Sequence, residues 1–346
     1  MQTVWFIIVS LMMATYVVLD GFDFGAGILH LFVAKSDQER RTVIGAIGPL
    51  WDGNEVWLLA GGGVLFFAFP RAYAAGFSGF YMPLMMVLWL LVMRGISIEF
   101  RSMEASPLWR SLWDGAFFLA SSLMAIVLGA ALGNVIRGVP VNADGYFSGP
   151  LFTNFEATGD GVLDWYTVLV GLFTFAVLAM HGALYLRMKA TGPVHDRATA
   201  AGMKLWIAVV ALGVLATIGT VAVQPKLFST MAGRPLSWVL AAGVVASIAA
   251  VPVTLKQKQE SRSFVASCAF IASMLAATAS GVYPTLLGST VSPAYDLNIV
   301  TASAGPLNLR VGLGWWIIAI ILAIGYFTYL FRSFRGKVNP EEGYGH

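Results

Sequence analysis

The sequence predicts an all-α integral membrane protein of about nine transmembrane helices. Two observations carry that class. Of the 346 residues, 58% are hydrophobic and only 11% charged, with a mean hydropathy of +0.76. A chain of this length with so few polar groups has too little to cover a water-soluble globule, so lipid is its expected solvent. The second is that apolar runs of about 20 residues, the length needed to cross a ~30 Å hydrocarbon core, recur with short breaks.

Taken in order, the runs lie at 3–33, 45–69, 74–98, 113–136, 164–188, 203–223, 236–254, 263–285 and 311–331. The first has no basic leader and no small-residue cleavage site, and therefore reads as a retained helix and not as a signal peptide. Between the fourth and fifth lies the longest connection, RGVPVNADGYFSGPLFTNFEATGDGVLDWY, rich in Gly, Pro, Asn and Asp, which places four spans before it and five after. The expected division is an N-terminal membrane bundle over 1–136, a connection over 137–163, a second bundle over 164–286, and a last segment over 287–346 with a loop, the ninth helix and a tail. No sequence repeat relates the halves. Small-residue faces such as GFDFGAG, LAGGGVLFF and GAALGN predict closely approaching helices. Trp5, Trp113, Trp165, Trp315 and Trp316, near span ends, are expected as interfacial anchors.

Loop charge sets the expected orientation. Sixteen of the 21 Lys and Arg fall on the side of the loops after spans one, three, five and seven and of the C-terminus, and five on the other. Basic residues are retained on the cytoplasmic side, so the C-terminus is expected inside and the N-terminus outside. The basic residues form no stripe interleaved with aromatics, which argues against nucleic-acid binding. The lone Cys268 excludes an internal disulfide and any cysteine-based metal site.

Four carboxylates interrupt these apolar runs: Asp20 and Asp23 in VVLDGFDFGAGIL, Asp52 and Glu55 in GPLWDGNEVWLLAGGG. At about 2.5 to 3.5 kcal/mol for each ionised acid at a bilayer centre, four facing lipid would cost on the order of 10 kcal/mol. They must face protein, water, a proton or a cation. Each pair is spaced by three residues and shares a helix face. On antiparallel neighbours, Asp23 about 15 Å and Asp52 about 12 Å from their helix ends would bring the pairs to one depth. With no Lys or Arg expected beside them, the four should not all be ionised. A proton relay or a cation site is the functional reading, and a protonated, hydrogen-bonded lock between two helices the structural one. His181, the only histidine deep in a span, reads as a satisfied structural residue, since a bis-histidine heme needs a second ligand. Glu99, Arg101, Glu104, Arg110 and Asp114 read as ordinary surface ion pairing.

The segments LDGFDFGAGIL, IGPLWDGNEVWLLAGGGVLFFAFPRAYAAGFSGFYMPL, RGISIEFRS, WDGAFF, LGNVIRGVP and GVYPTLLGSTVSPAYDLNIVTAS resemble subunit II of the cytochrome bd quinol oxidases. The likeness runs from the first span to the last, and the compact chain is similar to the cyanide-insensitive branch. It implies two four-helix bundles plus one extra helix. It also implies a partner, subunit I, holding two b-type hemes and one d-type heme together with the quinol-oxidising loop. Quinol would be oxidised at the outer face and O2 reduced to water with protons from the cytoplasm, in a bacterial inner membrane. Small single-helix accessory subunits, lipid and quinone are the other implied partners. Carried over by motif, Asp52 is the implied proton-conducting residue, with Asp20 and Asp23 beside it. Glu55 departs from the pattern, since some relatives carry Gln there, and the resemblance alone does not make it essential. The other readings of the same acids are a purely structural scaffold subunit and a cation/proton antiporter, the latter expected to show inverted repeats that the chain lacks.

Overall fold

The computed structural model describes residues 1–338; the end of the tail, His346 included, lies outside the described residues. The chain is nearly all helix: α1 (Gln2–Val33), α2 (Asp37–Ile47), α3 (Trp51–Ala68), α4 (Pro70–Gly79), α5 (Tyr81–Phe100), α6 (Pro107–Arg137), α7 (Trp165–Lys189), α8 (Gly192–Val223), α9 (Pro225–Ala232), α10 (Pro235–Lys256), α11 (Glu260–Val282) and α12 (Pro306–Ser333). Eight of these are long and apolar enough to cross a membrane. Helix α3 falls outside that set because Asp52, Asn54 and Glu55 crowd its first turns, yet its 18 residues reach about 27 Å at 1.5 Å per residue, and it packs along α1. Among the described residues the paired strands are a small antiparallel hairpin between α11 and α12, β1 (Thr285–Leu287) with β2 (Leu297–Asn298).

Local chemistry sets the helix ends. The expected second span, 45–69, is instead two helices, because Gly48-Pro49-Leu50 forms a turn and Pro49 has no N–H to continue the ladder of α2. Pro70 likewise restarts the chain as α4, and a further break at Phe80 separates α4 from α5, so the expected third span, 74–98, begins inside α4. Ser36 caps α2 and Asp164 caps α7, each in a reciprocal box with the residue three positions on, Glu39 and Thr167. Helix α8 starts at Gly192, well before the expected 203, so His195 lies in its first turn.

Helix α1 packs against α3, α6, α7 and α11, and α7 against α6, α8 and α11; α5 pairs with α6 and α10 with α11. The α1–α7 crossing is a backbone contact: a Cβ on Gly25 would overlap the Leu178 carbonyl and Gly182, and one on Gly182 would overlap Gly25 and Ala26. Gly129 and Gly171 bring α6 and α7 together in the same way. The small-residue segments thus act as close-approach surfaces, where dispersion between backbones takes the place of hydrophobic burial. Helix α7 is the most enclosed, with 72% of its apolar window buried, whereas none of the α12 window is. Helix α12 leans on α3 through Trp57 against Phe327. Its tail is tied to the end of α7, where Lys189 donates to the Phe334 and Gly336 carbonyls and Lys337 to the Arg187 carbonyl and Glu260. One expected interfacial tryptophan is not interfacial. Trp5 is 1% exposed, in the core that underlies the hairpin, and donates its indole N–H to the Leu309 carbonyl.

Candidate functional site

The sequence-identified acids meet a cation. Asp20 and Asp23 project from α1, Glu55 from the second turn of α3, and between them lies Arg94 of α5, itself fully buried. Arg94 donates from Nη1 to Asp20 Oδ1 at 2.5 Å, from Nη2 to Asp20 Oδ2 at 3.2 Å and from Nη2 to Glu55 Oε2 at 2.9 Å. Its guanidinium also lies 4.3 Å from the Phe24 ring centroid. The planar fork of arginine suits this two-point grip on a carboxylate, and at full burial the pair is mutually required. The expectation of an acid cluster with no basic partner is therefore corrected. Arg94 lies inside the expected span 74–98, and an arginine within an apolar run is the sequence signal that an acid faces it.

Asp23 is a different kind of acid. It has no cation of its own: Asn54 of α3 donates from Nδ2 to Asp23 Oδ2 at 2.8 Å, and Asp23 Oδ1 is buried with no partner. Asn54 also reaches the Leu19 carbonyl, tying α3 to α1. Asp52 stands apart. It is exposed in the first turn of α3 and makes no hydrogen bond or ion pair among the described residues. The helix it was expected to lie within ends at Ile47, so the turn at Pro49 puts Asp52 at a helix start and not about 12 Å deep. The structure brings together Asp20, Asp23 and Glu55 and adds Arg94 and Asn54. Tyr16, one turn back from Asp20 on α1, faces the group and is 2% exposed.

A second polar group lies at the arginine-rich end, where surface pairing was expected. Asp114 of α6 and Arg101 are each 1% exposed, and Asp114 accepts from Arg101 Nε at 2.6 Å, Arg40 Nη1 at 2.7 Å and pairs with His30 Nε2 at 2.6 Å. Arg101 also donates to Asp37 of α2 at 2.8 Å, and Arg110 donates to Asp37 at 3.0 Å. Burial pushes the Asp37 carboxyl up, but the hydrogen bond and charge of Arg101, with Arg110 and Arg41, outweigh it and hold the group below the usual range. On the same helix Glu39 is lowered to about 2, first by the Arg197 hydrogen bonds and then by the backbone N–H of Lys35. Asp114 and Arg101 thus belong to a buried ion network and not to a surface one, because α1, α2, α5 and α6 converge on a single carboxylate, whereas the Arg110–Asp37 pair lies at its exposed rim and Glu99 and Glu104 are at the surface, as expected.

At the opposite end Arg137 pairs with Asp164, the cap of α7, and donates to Asn134 Oδ1 at 2.6 Å and the Gly161 carbonyl at 3.1 Å, pinning the long connection. His181 is fully buried, with Nε2 against the Val18 carbonyl at 2.9 Å, Nδ1 against Ser267 Oγ at 2.7 Å and its ring stacked on Phe264. Both nitrogens are engaged, so His181 is not placed as an axial ligand. His30 has no exposed ring face and meets Phe117 edge-on, which leaves no room for a porphyrin. No group of three or more His, Cys, Asp or Glu suited to a metal ion occurs among the described residues. Neither buried histidine among the described residues is placed to hold a heme.

Comparison with known proteins agrees across the chain. The family described as "Cytochrome bd terminal oxidase subunit II" matches residues 1–334. The "Cytochrome bd ubiquinol oxidase subunit 2" of Bacillus subtilis (strain 168) is 31% identical over 342 residues, 99% of this chain and 98% of that protein. The "Cytochrome bd-I ubiquinol oxidase subunit 2" of Escherichia coli (strain K12) is 29% identical over 369 residues, 99% of this chain and 96% of that protein. A chain of the bd oxidase structure from Geobacillus thermodenitrificans superposes with a TM-score of 0.74 at 19% identity, covering 96% of this chain and 98% of that one, which is a likeness of fold.

Proposed function

The chain belongs to the cytochrome bd terminal oxidase subunit II family, and from that premise we propose that it stabilises a heme-bearing subunit I and supplies part of the proton path for O2 reduction. The hemes, two b-type and one d-type, belong to the partner in this reading, and the chain has no oxidase activity alone. The arrangement of His181 and His30 supports this assignment. The orientation is the one the basic loops favour, N-terminus periplasmic and C-terminus cytoplasmic in a bacterial inner membrane, with quinol oxidised outside and protons drawn from inside. In this reading 1–136 and 164–286 are the two bundles, joined face to face through α1, α6 and α7, and α12 is the extra helix.

The observation that carries the proton role is the asymmetry within the buried cluster. Asp20 and Glu55 share the Arg94 cation, whereas Asp23 has an amide partner and one oxygen without any. A carboxyl bound to a fixed cation stays ionised. One hydrogen-bonded by an amide at full burial can take up and release a proton. Asp20 and Glu55 with Arg94 set the field, Asp23 carries the proton, and Asp52 lies toward the arginine-rich end as an exposed collector. The guanidinium already occupies the place a bound cation would take, which disfavours the antiporter reading.

The test is turnover per heme in the assembled oxidase. Asp23→Asn is expected to lower O2 reduction by about a hundredfold, within the range set by loss of a positioned proton carrier. Asp52→Asn is expected to lower it less, since an exposed collector is bypassed by water. Full turnover per heme in both variants would leave the cluster as a structural lock and the subunit as a scaffold.

A further inference from the structure

Asp23 is held by one side chain, and that side chain comes from the WDGNEVW block. Asn54 is fully buried on α3, and its Nδ2 donates to Asp23 Oδ2 at 2.8 Å and to the Leu19 carbonyl at 3.3 Å. Leu19 and Asp23 stand four residues apart on α1, one above the other, so a single amide nitrogen reaches both. The two contacts fix which way the amide faces. Turned over, Asn54 would set its oxygen against two acceptors, and a backbone carbonyl has no proton to give. Asn54 is therefore a donor to Asp23 whether the carboxyl is charged or neutral.

This lock makes the two oxygens of the acid unequal. Oδ2 already faces an N–H, so a proton on the carboxyl sits on Oδ1, which is buried and has no protein partner. The lock also works against the surrounding field. The charged and titratable groups facing Asp23 are Asp20 on α1 itself, Glu55 from α3, Arg94 from α5 and Tyr185 from α7. His181 of α7 is bonded to the Val18 carbonyl and to Ser267 of α11, and Asp114 of α6 with Arg40 of α2 lies beside His30, two turns along α1. Arg94 is one positive charge gripping two carboxylates, so an ionised Asp23 meets one negative charge in excess. Among the described residues, the Asn54 N–H is the one hydrogen bond that the Asp23 side chain has to set against it. Without that donor the carboxylate loses its stabilising partner, and the proton stays.

We propose that Asn54 is the positioning residue that makes Asp23 a proton carrier: it keeps Oδ2 as a fixed acceptor, directs the proton to Oδ1 and holds the ionised form within reach. This rests on the proton-carrying role of Asp23 and adds the residue that sets it. The balance is one proton. Uptake from water forms the Oδ1–H bond and release to water breaks it, while the Nδ2–H to Oδ2 bond persists through both and strengthens when the carboxyl is charged. The role accounts for an amide in the middle of WDGNEVW. An acid there would share the proton with Asp23, and an apolar residue would leave Asp23 in its neutral form.

The experiment uses the assembled oxidase with Asn54→Leu, Asp23→Asn and both together. It reads O2 turnover per heme over about pH 6 to 9 and the infrared C=O stretch of the protonated Asp23 carboxyl, identified as the band lost in Asp23→Asn. Asn54→Leu is expected to slow turnover about tenfold and to move the alkaline limb of the profile up by about one unit, the difference between a charge-assisted and a neutral hydrogen bond. The stretch is expected at higher frequency, because the Oδ2 carbonyl loses its donor. In the double variant Asn54→Leu should add no further loss, since it acts through Asp23. Equal slowing in both backgrounds, or slowing with an unmoved profile and band, would mark Asn54 as structural and overturn the positioning role. A slowed Asp23→Asn beside an Asn54→Leu of wild-type turnover, profile and band would overturn that role alone, whereas wild-type turnover in Asp23→Asn would overturn the carrier itself. Should Asn54→Leu fail to assemble, Asn54→Asp decides, since it keeps the shape of the amide and shares a proton with Asp23: slowed turnover with a raised alkaline limb supports the role, and wild-type behaviour overturns it.

Discussion

Removal of Arg94 is the most direct perturbation of the buried cluster. Arg94→Gln leaves Asp20, fully buried, and Glu55, partly buried, without their shared cation. Taking one partner from a buried ion pair costs about 3 to 5 kcal/mol, because the remaining charge must be neutralised or moved toward water. That is a large fraction of the 5 to 15 kcal/mol typical of a folded domain. The variant is therefore expected to assemble at low yield and lose its heme absorbance at a much lower temperature. Neutralising the closest carboxylate should relieve most of the loss, so Arg94→Gln with Asp20→Asn is expected to be more stable than Arg94→Gln alone. The assay is a double-mutant cycle on the melting of the heme spectrum in detergent, with a coupling of about 2 kcal/mol or more for groups in direct contact. Additive single effects, or a singly substituted Arg94→Gln complex of wild-type stability, would refute the shared-cation account.

Three further expectations follow from other parts of the molecule. Gly25→Ala, which sets a methyl into the α7 backbone, is expected to destabilise the α1–α7 crossing by about 1 to 3 kcal/mol or more, seen as lower assembled yield, whereas Gly62→Ala, with open space at its Cβ, should be silent. Glu39 is held at about 2 in the folded protein against an ordinary 4.5, so its bond to Arg197 contributes stability above pH 4.5 that is lost as pH falls toward 2; the acid-side drop in melting temperature should be smaller in Glu39→Gln. Cysteines introduced at Asp144 and Lys337 should label from the periplasm and the cytoplasm respectively, and the reverse pattern would invert the orientation.

Membrane class and the acids inside apolar runs are read from the chain because hydropathy and charge are properties of single segments, summed along the sequence with no knowledge of neighbours. The family likeness is legible for the same reason, in blocks such as WDGNEVW. What an acid meets is not local. Asp20 meets Arg94 because α5 presents that face to α1, and Asp23 meets Asn54 because α3 begins at Trp51, after a proline turn shorter than a hydropathy window resolves. Asp52 and Asp23 look alike in sequence, each an acid inside an apolar run, yet one is exposed and the other fully buried. Trp5, an interfacial anchor by composition, lies in the core because the hairpin and the start of α12 cover it. Helix rotation and crossing decide all of these, and they are set by contacts such as Gly25 on Gly182, between residues 157 positions apart. The sequence by itself determined that the chain crosses a membrane and carries acids that must be hidden there. Only the tertiary structure decided which acid holds a cation, which holds an amide, and which faces out, because charge neutralisation in lipid is settled between helices.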